Sequence, residues 1–299
     1  MPAFHTIDVL FQNRPGEIAV YLIPYSKGAV LVDCGPGSTL ENLQASLRGA
    51  GLQPKDVTHI LLTHIHLDHA GAAGFFAAQG AQVIVHPLGA QHLLNPEKLL
   101  ASARRIYAER MDVLWGRFWK VSKANLLEVE DGAQMSIGEL RFTIMHTPGH
   151  AEHHIAYGLG STCFTGDIAG VRFPGPVFVN LPFVPPETHF GKWRESLKRL
   201  QHGGFSRVAL SHFGSFGQVE AQLAMALRQL DDLEFWLEKA MSDSPPVEIL
   251  RERYAAWLHG WGIALEIPNE YLALYEDGST IRMAGDGLFR YWHKVRMAT

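Results

Sequence analysis

Cysteine is scarce in this chain. Only two of its 299 residues are cysteines, Cys34 and Cys163, and each lies in an apolar run typical of a strand. Two such thiols exclude a disulfide-rich scaffold, and they favour a protein of a reducing compartment. Hydrophobic residues make up 47% of the chain and charged residues 19%, which suffices for one large globular domain with an appendage.

Net positive charge and long apolar runs are also absent. The formal net charge is −4, so the composition gives no sign of a nucleic-acid-binding surface. No apolar run approaches the ~18 residues of a membrane span, and the first 25 residues lack the regions of a signal peptide. We therefore expect a cytoplasmic protein with a small-molecule substrate and with no nucleic-acid or membrane partner. The oligomeric state stays open, with a homodimer as one alternative.

Strand-like and helical patterns alternate along the first two thirds of the chain. The runs "IAVYLIPY", "GAVLVDCGPG", "HILLTH" and "AQVIVH" predict strands, with a helix starting near Ser38 or Thr39 and ending at Gly49 or Gly51. We expect helices over residues 92–123 to lie on the sheet. Beyond Val219, leucines recur at helical spacing. This order predicts a catalytic domain over residues 1–217 and a mainly helical C-terminal region, residues 218–299, packed on it.

The stretch "THIHLDHAG", residues 63–71, is unusually rich in imidazole. In an extended backbone His64 and His66 fall on the same side, so that both can face one ion. Asp68 and His69 follow where the chain is expected to turn into a helix. A single histidine would more often be structural, but this density predicts a metal site.

Strand-like runs also end repeatedly in a candidate metal ligand. "HILLTH", "RFTIMHTPGH", "TCFTGD" and "RVALSH" lead to His64, His150, Asp167 and His212. Sites in sheet proteins are commonly built where strands end, and imidazole and carboxylate are ligands of zinc and similar ions. The pattern suggests a site for two ions with two ligand groups and one carboxylate free to bridge them: His64, His66 and His150; Asp68, His69 and His212; and Asp167.

The set "THIHLDHAG", "TPGH", "FTGD" and "SHFG", in this order, resembles the metallo-β-lactamase fold superfamily over roughly residues 15–215. The resemblance implies an α+β protein, a four-layer αββα sandwich with a helical C-terminal appendage. It implies the same two ligand groups, with Asp167 bridging the ions beside a metal-bound hydroxide. Zinc is the default ion, with iron or manganese as alternatives. The implied reaction is attack of that hydroxide on an ester, thioester or lactone bond.

Three departures narrow the branch of the superfamily. True β-lactamases of this fold lack the bridging aspartate, and flavodiiron proteins place Glu where this chain has His66. The RNA-processing branch inserts a domain for which no room exists between Asp167 and His212. The pattern is therefore most similar to glyoxalase II-like and lactonase-like hydrolases. The alternatives are a phosphodiesterase or ribonuclease, which the further His154 also fits, a mononuclear iron dioxygenase, and an inactive binding protein.

Other residues are candidates for supporting roles. Asp33 in "LVDCGPG" resembles the family's strand-end aspartate behind the metal site, with a turn cap as the alternative. His153 or His154 is a candidate to orient a ligand. We also count Asp68 among the catalytic residues.

The segment "AGVRFPGPVFVNLPFVPPETHFGKW" follows Asp167 and is predicted to wall the cleft. Arg172 and His189 are its candidate catalytic side chains, either meeting a charged substrate group or protonating a leaving group. Its phenylalanines either line the cleft or fill the core, namely Phe173, Phe178 and Phe183. In the structural alternative, Thr188 merely caps the helix that follows.

Overall fold

The computed structural model describes residues 3–297, which form two compact units. Unit 1 comprises the chain up to His146 together with His153–Gly166 and Phe205–Gly217. Unit 2 comprises Thr147–Glu152, Asp167–Gly204 and the chain from Gln218 onward. The last junction falls at the predicted domain boundary, but two earlier segments also cluster with the C-terminal region. The division at residue 217 stays a prediction.

Unit 1 contains two six-stranded sheets within the described residues. The first has the strand order β1-β2-β3-β4-β5-β6, and its last four strands are mutually parallel. The second has the order β12-β11-β10-β9-β8-β7 and is antiparallel except between β10 and β11. The strands are β1 His5–Asp8, β2 Ala19–Tyr25, β3 Gly28–Val32, β4 Val57–Leu61, β5 Gln82–Val85, β6 Leu126–Glu128, β7 Gln134–Ile137, β8 Leu140–His146, β9 Ile155–Leu159, β10 Thr162–Gly166, β11 Arg207–Leu210 and β12 Gly214–Phe216.

The first sheet is buried on both faces, which explains its unbroken apolar runs. Alternate side chains of a strand point to opposite faces. In β2, Tyr21 and Ile23 join a core that includes Phe142 and Ile144 of β8, between the two sheets. Their neighbour Leu22 instead joins a second core beneath the helices of unit 1. The sheet therefore forms a middle layer.

Six α-helices belong to the described part of unit 1. The helix that was predicted to begin near Ser38 or Thr39 spans Leu40–Gly49 and buries Leu40, Leu43 and Leu47. Helices also cover much of residues 92–123, as predicted, and contribute Trp115 to the second core. The helices are α1 Leu40–Gly49, α2 Leu67–Ala70, α3 Ala73–Ala78, α4 Pro87–Leu94, α5 Glu97–Tyr107 and α6 Met111–Trp115.

Unit 2 is helical apart from the loops that enter it. Its longest helix spans Val219–Ala240 and buries four leucines of the predicted stripe, Leu223, Leu230, Leu233 and Leu237. The helices are α7 Phe190–Gln201, α8 Val219–Ala240, α9 Val247–Ala264, α10 Asn269–Leu272 and α11 Gly278–Tyr291, followed by a π-helical turn over Trp292–Arg296. Within residues 3–297, no helix has the length and apolar character needed to cross a bilayer.

Candidate metal site

The imidazole-rich stretch changes conformation as its sequence predicts. Strand β4 ends at Leu61, and the backbone is still extended at His66, which immediately precedes α2. Asp68 and His69 lie in this short helix. The nitrogen Nε2 of His64 lies 2.9 Å from Nδ1 of His66, so the two rings adjoin as expected for alternate residues of an extended segment.

Unit 1 brings together the predicted group Asp68, His69 and His212. One ligand atom from each residue lies within 4.8 Å of the other two. Oδ2 of Asp68 is 3.4 Å from Nε2 of His212 and 3.6 Å from Nε2 of His69. A carboxylate and two imidazoles at this spacing are a donor set that suits a zinc-like ion.

Unit 2 holds the two remaining candidates. Nε2 of His150 lies 3.3 Å from Oδ2 of Asp167, and both residues are buried. Buried charged groups are rare unless they are paired or bind a metal. The structure therefore places this pair where a ligand role is chemically reasonable.

The imidazole tautomers are set by the groups behind the rings. Nδ1 of His212 lies 2.7 Å from the Glu17 carbonyl, and Nδ1 of His150 lies 2.9 Å from the Pro182 carbonyl. A carbonyl only accepts, so each Nδ1 must carry the proton and donate it. The lone pair is then on Nε2, the atom that faces the neighbouring carboxylate. Metal-binding histidines are commonly oriented in this way, so these residues fit a metal.

Asp33 is the buried carboxylate behind the ligands of unit 1. Its oxygens accept from the backbone N–H of Thr63 at 2.8 Å, from the Thr63 hydroxyl at 2.9 Å and from the Ser211 hydroxyl at 2.8 Å. They also accept from Nδ1 of His69 at 2.8 Å. Of the two sequence alternatives, the structure thus shows support of a candidate ligand.

Sequence reasoning missed Thr63 and Ser211. Each is a hydroxyl residue immediately before a candidate ligand, in "LTH" and "LSH". That adjacency was the available signal. The two side chains bond the same carboxylate although 148 positions separate them in the chain, which the sequence alone does not reveal.

Cys34 supports helix α2 through its contacts with His69, and it is not a ligand candidate. Its thiol donates to the His69 carbonyl at 3.1 Å, and its backbone N–H donates to the same oxygen at 2.8 Å. Burial, and secondarily the charge of Asp33, hold the pKa of the Cys34 thiol well above its ordinary value. A protonated thiol is a weak donor and a poor metal ligand.

The two extra histidines lie beside the ligand strand. The ring centre of His154 is 5.2 Å from that of His64, and the ring centre of His153 is 6.2 Å away. Gly166 has a φ of +51°, and a Cβ there would lie 2.6 Å from Nε2 of His154. This explains the glycine of "FTGD": both its backbone conformation and its close approach disfavour a side chain.

The segment after Asp167 is packed within unit 2. Phe178 and Phe183 are fully buried, which supports the core-filling alternative for these two residues. Arg172 is also buried, and its guanidinium donates to Gln218 at 2.6 Å and to Gln222 at 3.3 Å. These contacts favour a structural role for Arg172.

His189 takes the capping role that the structural alternative gave to Thr188. Nδ1 of His189 accepts the backbone N–H of Lys192, so His189 is the N-cap of α7. The alternative in which Thr188 caps this helix is wrong, because the Thr188 hydroxyl donates to the Val184 carbonyl instead. His189 is partly exposed.

Comparisons with known proteins agree with this geometry. The family model described as metallo-beta-lactamase superfamily matches residues 13–212. The metallo-beta-lactamase fold-containing protein ST1585 of Sulfurisphaera tokodaii is 31% identical over 199 residues, covering 65% of this chain and 72% of that protein. Its crystal structure superposes with a TM-score of 0.61 at 28% identity, covering 77% of this chain and 86% of the other.

One further relative and one further solved structure are also similar to this chain. The acyl-coenzyme A thioesterase MBLAC2 of Gallus gallus is 26% identical, covering 71% of this chain and 78% of that protein. The metallo-beta-lactamase family protein TTHA1429 of Thermus thermophilus has a TM-score of 0.69 at 22% identity, covering 98% of this chain and 94% of the other. The latter likeness concerns the fold alone. The structural matches confirm the predicted sandwich class with its helical C-terminal region.

Proposed function

Because the chain belongs to the metallo-β-lactamase superfamily, we propose that it is a metal-dependent hydrolase of an ester, thioester or lactone bond. The observation that carries this proposal is the group Asp68, His69 and His212, whose ligand atoms all lie within 4.8 Å of one another. The carbonyl-bound Nδ1 atoms of His150 and His212 add to it, since they leave Nε2 to bind a metal.

The proposed ligand assignment is that of the family pattern. His64, His66 and His150 would hold one divalent ion, and Asp68, His69 and His212 would hold a second. Asp167 would bridge, and zinc is the ion we expect. Two such ions would lower the pKa of water towards neutrality and polarise the carbonyl under attack.

The proposed roles of the chain's own groups follow from exposure and hydrogen bonding. The Asp68 side chain is 20% exposed, whereas that of His69 is fully buried. Asp68 is therefore the candidate to accept a proton from the attacking water and pass it on. His189, partly exposed at the start of α7, is the candidate to protonate the leaving group.

The thioesterase relative favours a thioester among the three bond types. That relative is named an acyl-coenzyme A thioesterase and is 26% identical. The first substrates to assay are therefore acyl-coenzyme A thioesters of several chain lengths, followed by lactones and simple aryl esters. Because Asp167 stands where true β-lactamases lack a bridging aspartate, we expect negligible hydrolysis of penicillins and cephalosporins.

Metal analysis combined with Asp167→Ala tests the proposal. We expect purified protein to bind about two divalent ions per chain. Asp167→Ala should lower that number and lower hydrolysis more than about a hundredfold, the upper end for losing a mere supporting partner. Asp112→Ala, an exposed acidic residue of α6, is the matched control and should change neither value.

Two results would contradict the proposal. One is a wild-type protein that is fully active with a single tightly bound ion, which would overturn the two-ion assignment. The other is β-lactam turnover with kcat/KM near ~10⁴ M⁻¹s⁻¹, the low end for a committed enzyme.

A further inference from the structure

The loop after Asp167 has little regular structure of its own. Its two arms are joined by the isolated bridge between Val171 and Asn180, and no strand or helix forms before Phe190 in this fully described stretch. Buried backbone groups need hydrogen-bond partners. In this loop, side chains from the helices of unit 2 supply many of those partners.

Two buried glutamines of α8 supply bonds to both arms. Nε2 of Gln222 donates to the Ala169 carbonyl at 2.7 Å, and Oε1 of Gln229 accepts the Leu181 N–H at 2.6 Å. Both glutamines have 0% of their surface exposed. Burying an amide is costly unless it is hydrogen-bonded. These bonds therefore satisfy the buried glutamine amides as well as the backbone of the loop.

The loop residue that each glutamine bonds lies close in sequence to a candidate ligand or to the group that contacts one. Ala169 is two residues after Asp167, and the carbonyl of the intervening Ile168 accepts from the Trp193 indole at 2.7 Å. Successive carbonyls after Asp167 are thus held by side chains of α7 and α8. This fixes the direction in which the chain leaves the aspartate.

The other arm reaches His150. Gln229 bonds residue 181, and the next residue, Pro182, supplies the carbonyl that accepts from Nδ1 of His150 at 2.9 Å. Nε2 of Gln229 also donates to the Asn180 side chain, which accepts from the Tyr254 hydroxyl of α9 as well. The His150 ring is therefore oriented by Pro182, and three hydrogen bonds tie the two residues before Pro182 to α8 and α9.

We propose that the C-terminal helices position two metal ligands, with Gln222 acting on Asp167 and Gln229 acting on His150. They are positioning residues, because neither side chain reaches the ligand atoms. The inference rests on the proposed function in one respect only, the assignment of His150 and Asp167 as ligands. It gives the C-terminal region a role beyond packing.

The test replaces each glutamine by methionine, which keeps length and flexibility but has no N–H to donate to Ala169 and only a weakly accepting sulfur in place of the oxygen that accepts from Leu181. Zinc affinity is measured by chelator competition, and the visible spectrum of the Co²⁺-substituted protein reports ligand geometry. We expect Gln222→Met and Gln229→Met to weaken zinc binding about tenfold, the lower end for supporting partners of a metal site. Their Co²⁺ spectra should differ from that of the wild type.

Two further variants separate positioning from general stability. Leu233→Ala removes a buried leucine of α8. It should lower the thermal midpoint of unfolding at least as much as the methionine variants do, while zinc affinity stays within twofold of the wild-type value. Gln229→Glu can keep both bonds when its carboxyl is neutral, accepting from Leu181 and donating to Asn180. It should restore wild-type zinc affinity, with each affinity compared with wild type at the same mildly acidic pH.

The outcomes are distinguishable. Unchanged zinc affinity and Co²⁺ spectra in both methionine variants would overturn the inference, as would an equal loss of affinity in Leu233→Ala. If a methionine variant does not fold, Gln229→Glu decides: rescue at acidic pH supports the inference, and failure to bind zinc while folded overturns it. If Asp167→Ala and His150→Ala themselves leave zinc binding unchanged, the ligand assignment fails and not merely its support.

Discussion

Units 1 and 2 hold their candidate ligands in different ways. In unit 1 the ligands follow strand ends, and one buried carboxylate, Asp33, accepts four hydrogen bonds behind them. In unit 2 His150 lies on a loop and Asp167 begins another directly after β10, and helix side chains such as Gln222 and Gln229 hold the loop backbone. A sheet fixes its strand ends through its own backbone, whereas a loop depends on side chains supplied by its neighbours.

The first prediction breaks the support in unit 1 and should have the largest effect. Asp33 has a φ of +57°, which asparagine tolerates, so Asp33→Asn changes the charge without changing the backbone. An amide cannot accept all four hydrogen bonds, and the buried network should lose about 3 kcal/mol or more of stability. Metal affinity should fall about 10–100-fold. Chemical denaturation and chelator competition measure the two values.

If Asp33→Asn weakened zinc binding less than the methionine variants of unit 2, Asp33 would not be the stronger support of the candidate ligands. Asp56→Asn, in a short 3-10 helix with no buried residue, is the matched control. It should leave zinc affinity unchanged.

Arg172→Ala tests how the loop of unit 2 is packed without altering a candidate metal ligand. The guanidinium is buried against Gln218 and Gln222, so its loss should lower the free energy of unfolding by about 1–3 kcal/mol. Metal content should stay at the wild-type value, because the bond from Gln222 to Ala169 does not involve Arg172. A tenfold loss of kcat/KM with unchanged stability would instead support the substrate contact that the sequence suggested.

Two substitutions at His189 distinguish a helix-capping role from a catalytic role. His189→Asn keeps a capping side chain, whereas His189→Ala removes it and should cost about 1 kcal/mol of stability. If the imidazole protonates a leaving group, both variants should lower kcat/KM at least tenfold, or about 1.4 kcal/mol. Wild-type kinetics in His189→Asn would restrict His189 to the cap.

The smallest expected effect is the contribution of Tyr275 to stability, which should decrease at alkaline pH. The Tyr275 hydroxyl accepts the Phe173 N–H and donates to the Phe178 carbonyl, and burial raises its pKa to about 12 from an ordinary value of 10. Because the folded-state pKa is raised, the stabilisation is complete below pH 10 and is lost as the pH rises towards 12. Tyr275→Phe should be less stable by about 1 kcal/mol at pH 8. The difference should narrow above pH 10, and parallel stability curves for the two proteins would contradict this.

Much of the fold followed from local patterns. The β2 run and the leucines of α8 have periods set by strand and helix geometry, and both elements occur where they were predicted. The extended conformation at His66 and the turn into α2 were likewise local properties. The N-cap at His189 was missed because threonine is the better intrinsic cap, whereas the Thr188 hydroxyl instead bonds the Val184 carbonyl four residues earlier in the same loop.

The sequence by itself determined which chemistry the chain can support. Four strand-like runs end in His or Asp, and their order alone was sufficient to identify the family. Ligand type and spacing along a strand or helix are local, so they can be read from neighbouring residues.

Only the tertiary structure decided what holds those ligands in place. Thr63 and Ser211 meet at Asp33, and Gln229 reaches a loop 48 positions before it. A hydroxyl or an amide has no distinctive sequence pattern, because its partner is chosen by the folded chain and not by its neighbours. Whether a buried glutamine is a cost or a support depends on that partner, and only folding supplies it.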